Sequence, residues 1–178
     1  MVKGHQERLA TMVRELMGQA GLGFGELDRV AVTVGPGSFT GLRVGVAFAK
    51  GLGSALAVPC VGVGTLEALA GEQPGVVAAA IDAKRGQIYL QIFEDGRPLM
   101  APDALPVETA AARLAELRPA TLIGSGAPLL APVLPRATVV PRTTPDPAAI
   151  ARIAAKVRSP APAKPLYLRP PDAKPSAA

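Results

Sequence analysis

The sequence predicts an α/β protein, because helical and strand-like segments alternate along its first half. Two observations carry this prediction: an amphipathic helix precedes a strand of alternating valines, and a glycine-rich loop then leads into a second helix. With 178 residues the chain is long enough to bury a core. Hydrophobic residues make up 49% and aromatic residues only 3%, so that core must consist mainly of aliphatic side chains, alanine and glycine.

The first helix is predicted over residues 6–17, where apolar side chains recur at helical spacing: Leu9, Met12, Val13, Leu16 and Met17. The glycines of "GQAGLGFG" end it. The segment "LDRVAVTVG" then predicts a mostly buried strand. Residues 40–56 contain no proline and predict the second helix, followed by a short strand in "VPCVGVG" and a brief helix in "TLEALAG".

The second half has a different pattern. Residues 76–81 and 87–93 are strand-like and flank "DAKRG", which predicts a hairpin, and "EDGR" turns into a third extended segment. Further strands are expected in "ATLIGSG" and "ATVV". The last helix is predicted over residues 146–157, with Asp146 as its cap and Pro147 in its first turn.

Proline is concentrated toward the end of the chain, since all but three of the 19 prolines lie from Pro98 onward. We therefore predict a first lobe over residues 1–72, a second lobe over residues 73–158 and a proline-rich tail over residues 159–178. The tail is expected to be extended or disordered, except around residues 166–168.

Charge and cysteine content restrict the class of protein. A net charge of +5 is compatible with a polyanionic partner such as RNA but does not establish one. The single cysteine, Cys60, excludes an intramolecular disulfide, and its apolar neighbours favour a buried hydrophobe over a nucleophile. There is neither a signal-peptide pattern nor an apolar run of about 20 residues, so we predict a cytoplasmic protein with no membrane association.

The glycine loop "VTVGPGSFTGLRVG" has two interpretations. A loop at a helix N-terminus is typical of anion sites, and the candidate residues here are Gly35, Gly37, Ser38, Thr40, Gly41 and Arg43. The spacing matches neither a P-loop nor the dinucleotide fingerprint, and Pro36 removes one N–H donor. Alternatively, Ser38 or Thr40 caps the helix and the glycines allow close packing.

A stripe of small residues follows this loop: Gly41, Gly45, Ala49 and Gly53 recur every four residues. Glycine inside a helix costs about 1 kcal/mol relative to alanine. A stripe of this kind indicates that another backbone packs closely there. That backbone belongs either to the chain's own sheet or to a helix of another subunit.

Candidate catalytic residues are few. His5 is the only histidine and has no cysteine cluster beside it, so no metal site is predicted. Asp82, with Lys84 and Arg85, could hold an anion or a metal, but the same residues would also serve an ordinary hairpin. We predict no catalytic residue, no metal and no cofactor.

The run "GPGSFTGLRVGVAFAKGLGSAL" resembles the TsaB (YeaZ) family of bacterial tRNA threonylcarbamoyladenosine biosynthesis proteins. "GHQERLATMVRELM", "VPCVGVGTLEALA", "IDAKRGQIYLQIF" and "PLYLRPPDAKP" extend the resemblance over nearly the whole chain, most weakly over residues 98–160. It implies the actin-like ATPase (ribonuclease H-like) fold, with two lobes of mixed sheet plus helices.

The resemblance also implies a function: a non-catalytic subunit that supports the TsaD transferase, which attaches a threonylcarbamoyl group to N6 of an adenosine in tRNA. The implied partners are TsaD, the TsaE ATPase or a second copy of the chain, with tRNA reached through the complex. The matching interface residues are Leu9, Met12, Val13 and Leu16 on the first helix and Gly41, Val44, Gly45, Phe48, Ala49 and Leu52 on the second.

Two other functions remain open from the sequence. One is a nucleotide-binding phosphotransferase or ATPase of the actin-like fold, and the other is a peptidase, against which the lone His5 argues.

The start of the chain departs from the pattern of the family. Family members begin with a strand of the "LAIDTS" type and a hairpin, whereas this chain begins near the first helix. We therefore expect an N-terminally truncated first lobe with an unpaired strand edge, from a misplaced start codon or a fragment.

Overall fold

The structure is a computed structural model that describes residues 5–170, with side chains from residue 8 onward. The first part of the chain contains α1 (His5–Ala20), β1 (Val30–Gly35), α2 (Phe39–Leu56), β2 (Cys60–Gly64) and α3 (Thr65–Ala70). The second contains β3 (Val76–Lys84), β4 (Gln87–Glu94), β5 (Arg97–Pro98), β6 (Asp103–Pro106), α4 (Val107–Leu117), β7 (Thr121–Ile123), α5 (Ala127–Leu130), β8 (Thr138–Val140) and α6 (Pro147–Lys156).

The first sheet has two strands in the described part of the chain. β1 and β2 run parallel, with Val30 opposite Cys60 and Ala31 opposite Val61, and α2 provides the crossover that a parallel pair requires. Among residues 5–170 no other strand pairs with β1, so one edge of this strand is unpaired. The sequence predicted such an edge.

The second sheet is mixed and has six strands, in the order β5-β4-β3-β7-β8 with β6 also paired to β4. β3 and β4 form the predicted antiparallel hairpin, while β7 pairs parallel with both β3 and β8. One face carries Ile88, Leu90 and Ile92 against Leu114 of α4 and Leu130 of α5. On the other face, Leu66 and Leu69 of α3 pack with Phe93.

Helix α6 packs against both strands of the first sheet, and hydrogen bonds fix both of its ends. The Asp146 side chain accepts a hydrogen bond from the Ala148 N–H at 2.9 Å, so the predicted cap is confirmed. At the other end, the Arg29 guanidinium donates to the carbonyl oxygens of Ala154 at 2.6 Å and Val157 at 3.1 Å. These carbonyls belong to the last turn of the helix, where a cation also complements the helix dipole.

Helix α4 was not predicted individually, because the prolines around it dominate the local pattern. Its signal is nevertheless present in "VETAAARLAEL": Val107, Ala110, Ala111 and Leu114 share one face, and Ala110 and Leu114 are fully buried. The remaining predicted elements are found with their ends shifted by a few residues. No helix among residues 5–170 is both long and apolar enough to cross a bilayer.

The proline-rich segment after α6 is packed on the first sheet. Pro162 forms a bridge with Val61, Ala163 is only 3% exposed, and the Leu166 N–H donates to the Val34 carbonyl at 2.7 Å. Gly62 lies beside this segment on β2, where a Cβ would overlap the Val34 side chain, 2.6 Å from its Cγ1. Of the two expectations for the tail, extended or disordered, disorder does not apply to residues 160–170, which contain no helix and form a β-bridge with the sheet only at Pro162. Residues 171–178 lie outside the described residues.

Candidate partner interface and the neighbouring cleft

The apolar face of α1 is exposed. Met12 is 47% and Leu16 is 63% exposed, while Leu9 and Val13 are half-buried. No helix or strand within residues 5–170 packs extensively against α1. Four of the predicted interface residues therefore lie on an apolar surface that the described chain leaves uncovered.

Helix α2 has two apolar faces. The buried face packs toward the first sheet and consists of Leu42, Val46, Ala49 and Gly53. Successive helical residues are rotated by about 100°, which places the second face roughly a third of a turn away. This second face holds predicted interface residues that are only half-buried: Val44, Gly45, Phe48 and Leu52. Ala49, also predicted for the interface, is 6% exposed and lies on the core face.

The small-residue stripe of α2 divides between these two faces. A Cβ at Gly53 would lie 3.0 Å from the Val58 carbonyl oxygen and 3.3 Å from the Cys60 Cβ, so this end packs against the chain's own backbone. A Cβ at Gly41 would contact only the neighbouring Ser38. At Gly45 it would meet nothing within 4 Å. Gly45 is thus the stripe position with open space beside it.

The glycine loop is held by contacts within the chain. Gly35 is buried at φ +119°, and a Cβ there would lie 2.7 Å from the Leu166 carbonyl oxygen. The Ser38 Oγ caps α2 by accepting a hydrogen bond from the Gly41 N–H at 3.4 Å. The Arg43 guanidinium lies over the Phe39 ring, 5.4 Å from its centre. The capping interpretation is therefore confirmed for Ser38, whereas anion binding by this loop stays a prediction.

A cleft of about 420 Å³ lies between the glycine loop, the end of β3 and residues 166–170. Asp82 lies in its wall, where its Oδ1 accepts from the Lys84 N–H at 2.8 Å and its Oδ2 lies 2.6 Å from the Lys84 Nζ. These hydrogen bonds lower the pKa of the Asp82 carboxyl. The Asp82 N–H donates to the Ser125 Oγ at 3.1 Å. Asp82 thus stabilises the β3–β4 hairpin, as expected if it is an ordinary hairpin residue rather than a ligand for an anion or a metal.

The other candidate groups have ordinary environments. Cys60 is half-buried, and burial raises the pKa of its thiol despite the opposing influence of Lys50. A raised pKa reduces the thiolate fraction and does not suit a nucleophile. The side chain of His5 lies outside the described residues. Sequence reasoning missed Ser125, which accepts a hydrogen bond from the Asp82 N–H, and Tyr167, which lines the same cleft as Asp82, since only the fold brings these residues close to Asp82.

Comparisons with known proteins identify the family. Residues 1–117 match the family described as "TsaD: tRNA N6-adenosine threonylcarbamoyltransferase". The uncharacterized protein Rv3421c of Mycobacterium tuberculosis is 37% identical, covering 98% of this chain and 80% of that protein. The tRNA threonylcarbamoyladenosine biosynthesis protein TsaB of Haemophilus influenzae is 38% identical over 48% of this chain and 38% of its own length.

The solved structure of YeaZ from Pseudomonas aeruginosa superimposes with a TM-score of 0.71 at 27% identity, covering 94% of this chain and 86% of that one. Sequence and structure therefore agree on one assignment. The chain belongs to the TsaB (YeaZ) group of the TsaD family and has the mixed α/β, actin-like fold of that group.

Proposed function

We propose that this chain is a non-catalytic subunit of the machinery that forms N6-threonylcarbamoyladenosine in tRNA, and that it binds the TsaD transferase. The observation that carries the proposal is the exposed apolar face of α1, together with the half-buried apolar face of α2 that has open space at Gly45. The relatives named TsaB, described as biosynthesis proteins of this modification, support the same process.

The two faces are suited to a partner helix. Monomeric proteins rarely expose large apolar patches without a function, yet Met12 and Leu16 are both largely exposed on α1. On α2, the open space beside Gly45 allows a second backbone to come close, with Phe48 and Leu52 on the same face. TsaD is the proposed occupant, TsaE joins the pair, and a second copy of this chain takes the place of TsaD when TsaD is absent.

Three observations favour a non-catalytic role. The Ser38 hydroxyl caps α2, the Asp82 carboxylate holds Lys84, and the Cys60 thiol has a raised pKa. Each of these potential nucleophiles or bases is thus engaged within the chain or poorly ionised. The proposal assigns this chain to docking and support of TsaD.

The test is co-purification with TsaD from the same source, scored by size-exclusion chromatography with light scattering. Gly45→Leu and Leu16→Glu should each abolish the heterodimer, because the first fills the open space and the second places a charge on the apolar face. Ala47→Leu is the matched control, since Ala47 is exposed on a different side of α2. Ala49→Leu is unsuitable because Ala49 is buried, so overpacking would disturb folding.

A heterodimer retained by both interface variants would contradict the proposed surface. Absence of any complex from folded wild-type protein would overturn the proposal itself. Stabilisation of the isolated chain by ATP in a thermal melt would instead favour the phosphotransferase alternative.

A further inference from the structure

The cleft beside the glycine loop contains an unusual share of the aromatic residues. The chain has only four phenylalanines and two tyrosines, and Phe39, Tyr89 and Tyr167 all line this cleft. The Phe39 and Tyr167 rings lie 4.8 Å apart with a tilt of 35°, and Tyr167 is 44% exposed. The cleft therefore presents a ring whose exposed surface can receive a flat ligand group.

Positive charge surrounds these rings. Lys84 lines the cleft with an 80% exposed side chain, and Arg43 lies on the Phe39 ring next to it. Asp82 is the acidic residue of the lining, and it is paired with Lys84. The N-terminal end of α2, with its partial positive charge, also opens on the cleft at Ser38. One exposed ring and two cationic side chains thus occur at one place.

We propose that this cleft binds single-stranded RNA, with a base against Tyr167 and phosphates near Lys84, Arg43 and the N-terminal end of α2. Proteins bind single strands by stacking bases on aromatic side chains while cations follow the backbone. The cleft volume of about 420 Å³ lies within the size range of sites for small ligand groups. It is large enough for one base, and the cations beyond the rings would contact the neighbouring phosphates.

The distribution of charge favours a strand over a free nucleotide. Arg43 lies outside the cleft lining, on the Phe39 ring, so this cation is placed to contact a phosphate next to the cleft rather than inside it. Binding a metal-bound triphosphate would instead require Asp82 to release Lys84. The inference is independent of TsaD docking, because it concerns the isolated chain and a different surface.

The experiment is fluorescence anisotropy of a short, labelled single-stranded RNA titrated with the full chain over a range of salt concentrations. Tyr167→Ala should weaken binding by about tenfold or more, whereas Tyr167→Phe should retain it because the ring remains. Arg43→Gln should lower the slope of log affinity against log salt by about 0.7, the value for one single-strand phosphate contact. Arg136→Gln, which removes an exposed cation from a different groove, is the matched charge control.

The proposal would be overturned by no binding of folded wild-type protein, by equal losses from Arg43→Gln and Arg136→Gln, or by equally tight binding of a double-stranded RNA. Free ATP that displaces the RNA at comparable concentration would also overturn it, because the cleft would then be a nucleotide pocket. Thermal melts of each variant establish that it is folded.

Discussion

Gly124 lies directly against the backbone of Ala80 in the middle of β3. A Cβ at position 124 would overlap the Ala80 carbonyl oxygen and stand 3.0 Å from its carbonyl carbon. Gly126 donates its N–H to the same oxygen at 2.9 Å. The loop after β7 is thereby fixed to β3, and this contact places the Ser125 hydroxyl on the Asp82 N–H beside the cleft.

Gly124→Ala should reduce the free energy of unfolding by about 3 kcal/mol or more. The substitution adds a backbone overlap to the strain of an L-residue at φ +106°. Urea denaturation followed by circular dichroism measures the loss. Gly75→Ala is the control: its φ is +71° but a Cβ there meets nothing within 4 Å, so only the strain of about 1–2 kcal/mol applies. Equal losses in the two variants would contradict the close contact.

Ala163→Asp should destabilise the chain by about 2 kcal/mol or more, because it places a carboxylate where the segment after α6 is buried on the first sheet. Ala161→Asp introduces the same charge at an exposed position two residues away, so its effect should stay within about 0.5 kcal/mol. Denaturation midpoints of both variants provide the comparison. If the two variants were equally stable, the segment would not be packed as described.

Asp82→Asn should lower stability at pH 7 by about 0.5–1 kcal/mol, as for an exposed ion pair. The folded-state pKa of Asp82 lies below its ordinary value of 3.8, so its contribution is present above that value and is lost as the pH falls through the folded-state pKa. The difference between wild type and variant in urea melts should therefore vanish at acidic pH.

The control for this prediction is the Lys84→Asn variant, alone and combined with Asp82→Asn. Lys84 has a φ of +63°, a conformation that asparagine tolerates. The coupling between the two substitutions should show the same pH dependence. A difference that persists unchanged at acidic pH would rule out the ion pair as its source.

Local patterns predicted much of the fold because they depend on neighbours in the sequence. The spacing of Leu9, Met12 and Leu16 indicated α1, and Asp146 followed by Pro147 indicated the start of α6. The glycine loop was recognised, and so was the alternative that Ser38 caps α2. The unpaired edge of β1 was also expected, since it followed from comparing the start of the chain with its family.

What the sequence determined by itself is the family and the order of the helices and strands other than α4 and α5, because helical and strand periodicities and the glycine-loop motif are local. Tertiary structure alone decided that Ala49 and Gly53 face the chain's own sheet while Gly45 faces open space. It also brought Phe39, Tyr89 and Tyr167 together. These relationships depend on which distant segments pack together, and sequence spacing does not encode that choice.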